Sequence, residues 1–257
     1  MNKLLALLAF IPCLVFANPS HLSISQQRAP NETMEQVVKR FSKILPQSAW
    51  TKESPFNKKV PLMDMDYSLA PKITTYAELL AMFHFVRDTR FLYEEAQPGF
   101  GRRISWLYPD DGCFARAAMT GMSLQMQHFI RPAKIFAFGE LSLKTPYSVK
   151  GEVFWWYHVA AVVNYMDSIY VLDPALKPDG PILVGDWYNK MGIENDLTGV
   201  VCNPYTYDPF DYCYKISSKG DINARKDQSR YLEKEWSRMQ SLGFDPLQIL
   251  GNNPPWN

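Results

Sequence analysis

The sequence lacks the features of several common protein classes. Its longest apolar run, residues 4–16, is too short to span a bilayer, for which a helix needs about 20 residues. The formal net charge of +1 gives no basic surface for nucleic acid or an anionic membrane. No CxxC pair and no HExxH motif is present, so we predict neither a metal site nor a cofactor. A hydrophobic content of 47% indicates a globular protein, which we expect to be a monomer.

The beginning of the chain is typical of a secretory signal peptide. Lys3 supplies a positive charge, residues 4–16 supply an apolar stretch, and Ala17 ends a small-residue cleavage site. We therefore predict cleavage after Ala17 and export to the periplasm or the medium.

Cysteine is scarce. The sequence has four cysteines, and loss of Cys13 with the signal peptide would leave three. In an exported protein, Cys202 and Cys213 are close enough in sequence to form a disulfide. Cys113 then has no partner. An unpaired cysteine is commonly a buried structural thiol, but the residues around Cys113 favour a reactive one.

The residues before Cys113 predict a turn followed by a helix. Asp111 and Gly112 are turn residues, and Asp111 is a candidate cap for a helix from Cys113 to about residue 128. A helix N-terminus favours the thiolate form of cysteine, and the Cys113 N–H can stabilise an oxyanion. Gly112, Trp106 and Trp156 are further candidates for oxyanion or substrate contacts, although a core position is the commoner role for a tryptophan such as Trp106.

A histidine and an aspartate fall on two strands that are predicted to pair. If residues 164–167 form a four-residue loop, Val163 pairs with Ser168 and His158 lies directly opposite Asp173. Opposed residues share a face of the sheet, so the Asp173 carboxylate would orient the imidazole. A two-residue loop at 165–166 predicts the same pairing, whereas an odd-length loop would separate the two. With Cys113, these are the residue types of a thiol nucleophile, its base and the group that orients the base.

The order of helices followed by strands predicts an α+β fold, with the nucleophile at a helix N-terminus packed against an antiparallel sheet. Helices are predicted at 34–45, 75–93, 113–128 and 222–242, and strands at 134–138, 153–163 and 168–172. We divide the chain into a signal peptide (1–17), an N-terminal extension (18–72) and a catalytic domain (73–257).

Three segments resemble the core of the bacterial secreted protein glutaminases: DGCFARA at 111–117, WWYHVA at 155–160 and VLDP at 171–174. Phe114 stands where a tyrosine is expected. The resemblance implies a papain/transglutaminase-like fold, with Cys113 as nucleophile, His158 as general base and acid, and Asp173 as orienting group. It also implies protein or peptide substrates with exposed glutamine, deamidated to glutamate.

The resemblance further implies an N-terminal pro-segment that blocks the cleft. Residues 18 to about 70 are candidates, with the helix at 34–45 or the stretch after it in the site, but they are equally compatible with an integral part of the domain. Two other functions fit the sequence. A papain-like protease or a transglutaminase uses the same triad, and an inactive binding module would use the aromatic residues between 187 and 214.

Overall fold

The computed structural model describes residues 24–46, 50–94, 97–192, 197–216 and 219–256; the predicted signal peptide lies outside them. The α+β class is confirmed. The helices are α1 (Met34–Ser42), α2 (Pro55–Lys58), α3 (Tyr76–Asp88), α4 (Cys113–Met126), α5 (Val184–Met191), α6 (Lys219–Ser241) and α7 (Pro246–Ile249). The strands are β1 (Val60–Pro61), β2 (Lys72–Ile73), β3 (Leu92–Glu94), β4 (Gln97–Arg102), β5 (Ala133–Lys144), β6 (Glu152–Tyr165), β7 (Ser168–Leu172), β8 (Ile182–Leu183) and β9 (Thr198–Cys202).

The main sheet is antiparallel along the order β1-β9-β5-β6-β7-β8, and β2 adds one parallel pairing to the end of β6. The central strands β5 and β6 are buried over most of their length. They need apolar residues on both faces because α3 and α4 pack on one face and α5 on the other. No helix among the described residues is long and apolar enough to cross a membrane.

The predicted register between β6 and β7 is wrong by two residues. The two strands are joined by a two-residue turn at Met166 and Asp167, both with positive φ (49° and 59°), so Tyr165 pairs with Ser168. The predicted pairing of Val163 with Ser168 needed a turn two residues longer. A shift of two keeps every side chain on its predicted face, because side chains alternate with a period of two.

Much of the predicted N-terminal extension is part of the fold. Strand β1 pairs with β9, and β2 pairs with the end of β6, so residues 60–73 contribute to the main sheet. Helix α1 begins at the predicted capping box, in which Thr33 and Gln36 cap each other, and it buries Val37 and Phe41 in the core.

Candidate active site

The site lies where one edge of β6 changes its partner. That edge pairs with β7 only over residues 161–165, and an extended segment, residues 24–28, bonds to residues 154–156 of the same edge. Between these two partners, at residues 157–160, the described part of the chain offers this edge no strand. The start of α4 fills the gap: a hydrogen bond from the backbone of Val159 reaches the thiol of Cys113.

Cys113 is the first residue of α4 and is fully buried. The cap predicted at Asp111 is wrong by one residue: Gly112 is the N-cap, with φ of 87°, and as a glycine it brings no capping side chain of its own. Asp111 instead shapes the turn before the helix. Its Oδ1 accepts from Gly112 N at 2.8 Å and from Gln26 N at 3.0 Å. The thiol thus stands at a helix N-terminus, where the first backbone amide groups have no partner within the helix and can donate to acceptors from outside it.

Gly112 is required by its backbone angle and by its neighbour. A Cβ at this position would lie 2.6 Å from a ring carbon of Tyr231, and φ of +87° disfavours any side chain. We expect Gly112→Ala to lower the free energy of unfolding by about 2 kcal/mol or more, measured by urea denaturation. Gly151→Ala is the matched control for the positive φ alone, because its Cβ would meet no atom within 4 Å. Equal losses in the two variants would contradict the role of the Tyr231 contact.

Burial keeps the Cys113 thiol protonated in this state. Removal from solvent is the main cause that raises the pKa of Cys113 to about 12; the charge of Arg116 and the Val159 hydrogen bond oppose it, and Asp111 adds to it. Arg116 is itself buried and donates to the carbonyl groups of Tyr108 (2.9 Å) and Asp111 (2.7 Å). The guanidinium therefore holds the turn before α4 in place through two backbone carbonyl groups.

His158 and Asp173 meet as predicted, although the register differs. His158 Nε2 lies 2.8 Å from Asp173 Oδ2, and both side chains are buried. Since Ala161 pairs with Leu172, Asp173 follows the end of β7 and reaches His158 along the diagonal of the sheet. His158 Nδ1 has no hydrogen-bond partner among the described residues. One imidazole nitrogen is thus held by a carboxylate and the other is unoccupied.

Two tryptophans hold this pair in place. The Trp155 ring stacks on His158 at 4.7 Å between centroids and 11° between planes, and Trp187 Nε1 donates to Asp173 Oδ2 at 2.9 Å. Burial raises the pKa of Asp173, but the positive charge of His158 and the hydrogen bonds from His158 and Trp187 outweigh it, so the pKa of this carboxyl lies below its usual value. The aspartate therefore carries its charge at neutral pH.

The Trp187 hydrogen bond leads to a kinetic prediction. Trp187→Phe leaves a ring in place and removes one donor from the Asp173 carboxylate. We expect a loss in kcat of about ten- to hundredfold, since a hydrogen bond to a charged group contributes about 1.5–3 kcal/mol. The pH–rate profile should also shift, because the orientation of His158 depends on that carboxylate. A profile that keeps its shape would indicate a packing role only.

A glutamine side chain occupies the start of α4. The carboxamide oxygen of Gln26, Oε1, accepts from Cys113 N at 2.8 Å, and Gln26 is fully buried. Its backbone is bonded on both sides, through Trp156 N to Gln26 O (3.1 Å) and through Gln26 N to Asp111 (3.0 Å). The first free amide of the helix therefore already has a carbonyl oxygen as its acceptor, and that oxygen belongs to a glutamine.

The other predicted residues divide into two groups. Trp156 contacts the segment at 24–28, because its Nε1 donates to Ser25 O at 2.8 Å. Trp106 is not part of the site: its Nε1 donates to Val86 O at 3.0 Å within the core, so the indole cannot serve an oxyanion at Cys113.

Cys202 and Cys213 form the predicted disulfide, and Cys113 is a free thiol. Among the described residues, no three His, Cys, Asp or Glu side chains group closely enough to hold a metal ion.

Sequence reasoning missed Gln26, Trp155 and Trp187. Trp155 is the first residue of the WWYHVA motif, but its distance of three residues from His158 gave no reason to expect stacking. Trp187 comes from a helix 14 residues after Asp173, and no local pattern links the two. Gln26 had one available signal, since a glutamine in a segment expected to block a glutamine-specific cleft is a candidate occupant.

The middle of the chain matches a known protein family. Residues 79–191, which contain Cys113, His158 and Asp173, match a family model described as glutaminase, and the predicted resemblance is confirmed. No curated protein matches the chain.

The chain is also similar to three solved structures. A mutant of pro-protein-glutaminase has a TM-score of 0.48 and 22% identity, over 63% of this chain and 59% of that one. A protein-glutaminase has values of 0.47 and 22%, over 63% and 90% of the two chains. The protein-glutaminase from Chryseobacterium proteolyticum has values of 0.46 and 22%, over 73% and 94%. The first of these alignments thus spans less than two thirds of the relative's length.

Proposed function

On the premise that residues 79–191 carry the glutaminase core, we propose that this chain is a cysteine-dependent protein glutaminase that converts glutamine side chains of proteins to glutamate and releases ammonia. One observation carries the proposal. The free thiol of Cys113 lies at a helix N-terminus and accepts a hydrogen bond from the backbone of Val159, the residue that follows His158 in β6, and His158 is bonded to Asp173. These are the parts that an acyl transfer through a thioester requires.

The first half of the reaction forms the thioester. His158 accepts the thiol proton at Nδ1, the nitrogen that Asp173 leaves unoccupied, while Asp173 stabilises the resulting imidazolium. The sulfur of Cys113 attacks the carboxamide carbon, and the Cys113 N–H donates to the oxyanion, as it donates to Gln26 Oε1 in this structure. His158 then protonates the departing nitrogen, and ammonia leaves.

The second half hydrolyses the thioester. Neutral His158 removes a proton from water, and the water oxygen attacks the acyl carbon. The C–S bond then breaks, and the sulfur of Cys113 takes the proton from His158 to restore the thiol. The product carries a carboxylate where the substrate had an amide. Each turnover therefore adds one negative charge to the target protein.

We further propose that the N-terminal segment keeps the enzyme latent. Cleavage after Ala17 would leave an extension whose residues 24–28 lie along β6 and cover Cys113. The covering residues are this extended stretch, rather than the helix at 34–45 or the stretch after it. The contact residues of β1 and β2 stay with the catalytic domain because they belong to its sheet. Export agrees with the disulfide between Cys202 and Cys213, which is stable under oxidising conditions.

The latency proposal predicts the reactivity of Cys113. Arg28 fastens the covering segment: its guanidinium donates to Trp155 O (3.2 Å) and Leu141 O (3.4 Å). Arg28→Ala should raise the rate of Cys113 alkylation by iodoacetamide by about tenfold or more, because the segment loses buried hydrogen bonds and opens more often. Arg225→Ala, at an exposed position on α6, is the control and should leave the rate unchanged. Equal rates in all three proteins would contradict latency by coverage.

Ammonia release from casein, with the mass of the casein followed in parallel, tests the function. The purified chain is assayed before and after limited proteolysis, beside its Cys113→Ser variant. The proposal predicts ammonia and the mass change of amide-to-acid exchange, without fragments, and none of this with serine. Fragments would indicate a protease, and crosslinked, heavier species a transglutaminase. If no reaction occurs before or after proteolysis, the chain is not an enzyme of this kind, and the inactive binding module is the function that still fits.

A further inference from the structure

Gln26 has the arrangement expected of a bound substrate. Its carboxamide oxygen lies 2.8 Å from Cys113 N, which is the position that an oxyanion of the reaction would take. Its carboxamide nitrogen, Nε2, is buried and has no hydrogen-bond partner among the described residues. The oxygen is therefore held by the donor that stabilises the reaction's negative charge, while the nitrogen that would leave is not retained by any described group.

The backbone around Gln26 is fixed on both sides of the reacting group. Tyr157 OH donates to Ile24 O at 2.7 Å, Trp156 Nε1 to Ser25 O at 2.8 Å, and Arg28 N to Phe154 O at 2.9 Å. Such a set of contacts holds a reacting group at a high effective concentration, because its translational and rotational freedom has already been lost. A merely space-filling segment needs no glutamine here, since any buried side chain would cover the thiol.

The neighbouring glutamine makes the placement specific. Gln27 is exposed, whereas Gln26 is 0% exposed, because alternate side chains of an extended segment point in opposite directions. Two adjacent glutamines with the same chemistry therefore differ only in their access to Cys113, and the chain contains its own internal control.

We propose that Gln26 is a substrate of its own chain, deamidated in cis by Cys113 to glutamate. This inference rests on the proposed function, since it uses the same nucleophile and the same triad. It adds a modification site within the covering segment and makes the first turnover of the enzyme intramolecular.

The step balances with water as the only co-reactant. The thiol proton of Cys113 moves to His158 Nδ1 as the sulfur bonds to the carboxamide carbon of Gln26. His158 then passes that proton to Nε2 of Gln26, the C–N bond of the carboxamide breaks, and ammonia leaves. Water then adds to the thioester carbon and gives one proton to His158, the C–S bond breaks, and the thiol is restored. The net change is one amide and one water converted to one carboxylate and one ammonium ion.

Peptide mapping by mass spectrometry tests the proposal on the full-length chain, purified after export from a bacterial host. The tryptic peptide that ends at Arg28 contains both glutamines, and its fragment ions separate them. We expect glutamate at position 26 in the wild type, and glutamine at position 26 in Cys113→Ser; position 27 should stay glutamine in both. A wild type that keeps the Gln26 amide under conditions in which it deamidates casein would overturn the inference and leave the proposed function intact. If neither casein nor Gln26 is deamidated, the proposed function and this inference are both wrong.

A mixing experiment tests whether the reaction is intramolecular. Isotopically labelled Cys113→Ser chains are incubated with unlabelled wild type, and the labelled peptide is mapped over time. Reaction in cis predicts that the labelled chains keep Gln26 while the unlabelled ones convert it. Conversion of both at the same rate would overturn the cis assignment. In a separate Gln26→Asn variant the shorter side chain should keep its amide, because its carbonyl group cannot reach Cys113 N from the same backbone; conversion of that asparagine would also contradict the proposed geometry.

Discussion

Cys113→Ser is expected to abolish deamidation, with a fall in kcat of at least about 10³-fold, the size of effect seen when a catalytic nucleophile is replaced. Serine has nearly the shape of cysteine, but its hydroxyl stays protonated beside a histidine that is arranged for a thiol. The measurement is the initial rate of ammonia release after limited proteolysis of the chain.

The control for this variant is its stability. Cys113 is buried and makes no disulfide, so serine should change the free energy of unfolding by only about 1 kcal/mol. A stable variant without activity supports a nucleophilic role, while retention of more than a few per cent of the wild-type rate would exclude it. If Cys113→Ser does not fold, Cys113→Ala replaces it, and its rate of ammonia release and its free energy of unfolding are measured in the same way.

Asp173→Asn is expected to give the second-largest effect, a fall in kcat of about 10³–10⁴-fold. The carboxylate accepts at Oδ2 from His158 Nε2 (2.8 Å) and from Trp187 Nε1 (2.9 Å). An amide at this position can present its NH₂ group to His158, which would place the imidazole proton on Nδ1, the nitrogen that must accept from the thiol. A rate within tenfold of the wild type would contradict the role of Asp173.

The same substitution should change the acid stability of the protein. The pKa of Asp173 is lower in the folded chain than its usual value, so this carboxylate stabilises the fold above a pH of about 4, the unfolded value. That contribution is lost as the pH falls through the lowered pKa. Urea unfolding between pH 7 and pH 3 should therefore show a steeper loss of stability for the wild type than for Asp173→Asn. Parallel curves would show that the pair contributes nothing to acid sensitivity.

The sequence predicted the meeting of His158 and Asp173 through a register that is wrong. The prediction placed the two residues directly opposite each other, whereas the turn at Met166 and Asp167 shifts the pairing by two. The contact survives because an even shift preserves the face of each side chain, and because Asp173 lies past the last paired residue, Leu172, where the chain can turn toward His158. The sequence indicated that His158 and Asp173 share a face of the sheet. It did not indicate the turn, because both central residues of that turn have positive φ and neither is a glycine.

Other parts of the site depend on tertiary contacts that leave no local signal. The cap predicted at Asp111 failed because the carboxylate bonds to Gly112 and Gln26, the second of which is 85 residues away. Trp106 carries the donor that an oxyanion needs, but its indole points to Val86 in the core. By contrast, the free Cys113 and the disulfide between Cys202 and Cys213 were predictable from the number of cysteines together with the predicted signal peptide.

The covering segment shows the limit of patterns based on periodicity. The helix at 34–45 was the more visible candidate for the cleft, since it has a capping box and an apolar stripe, and it does pack on the core through Val37 and Phe41. The segment that reaches Cys113 is a short extended stretch without periodicity. Its place is set by backbone hydrogen bonds to the free edge of β6, and such bonds are available to almost any sequence.

The most direct test of the account is to trap the acyl group that Cys113 carries. The proteolysed enzyme is given a glutamine-containing peptide in the presence of hydroxylamine, and the products are identified by mass spectrometry. A thioester predicts a γ-glutamyl hydroxamate that increases with hydroxylamine concentration, at the expense of glutamate, and that is absent with Cys113→Ser. Ammonia release with glutamate as the sole product at every hydroxylamine concentration would mean that water attacks the amide directly, and it would contradict Cys113 as the nucleophile.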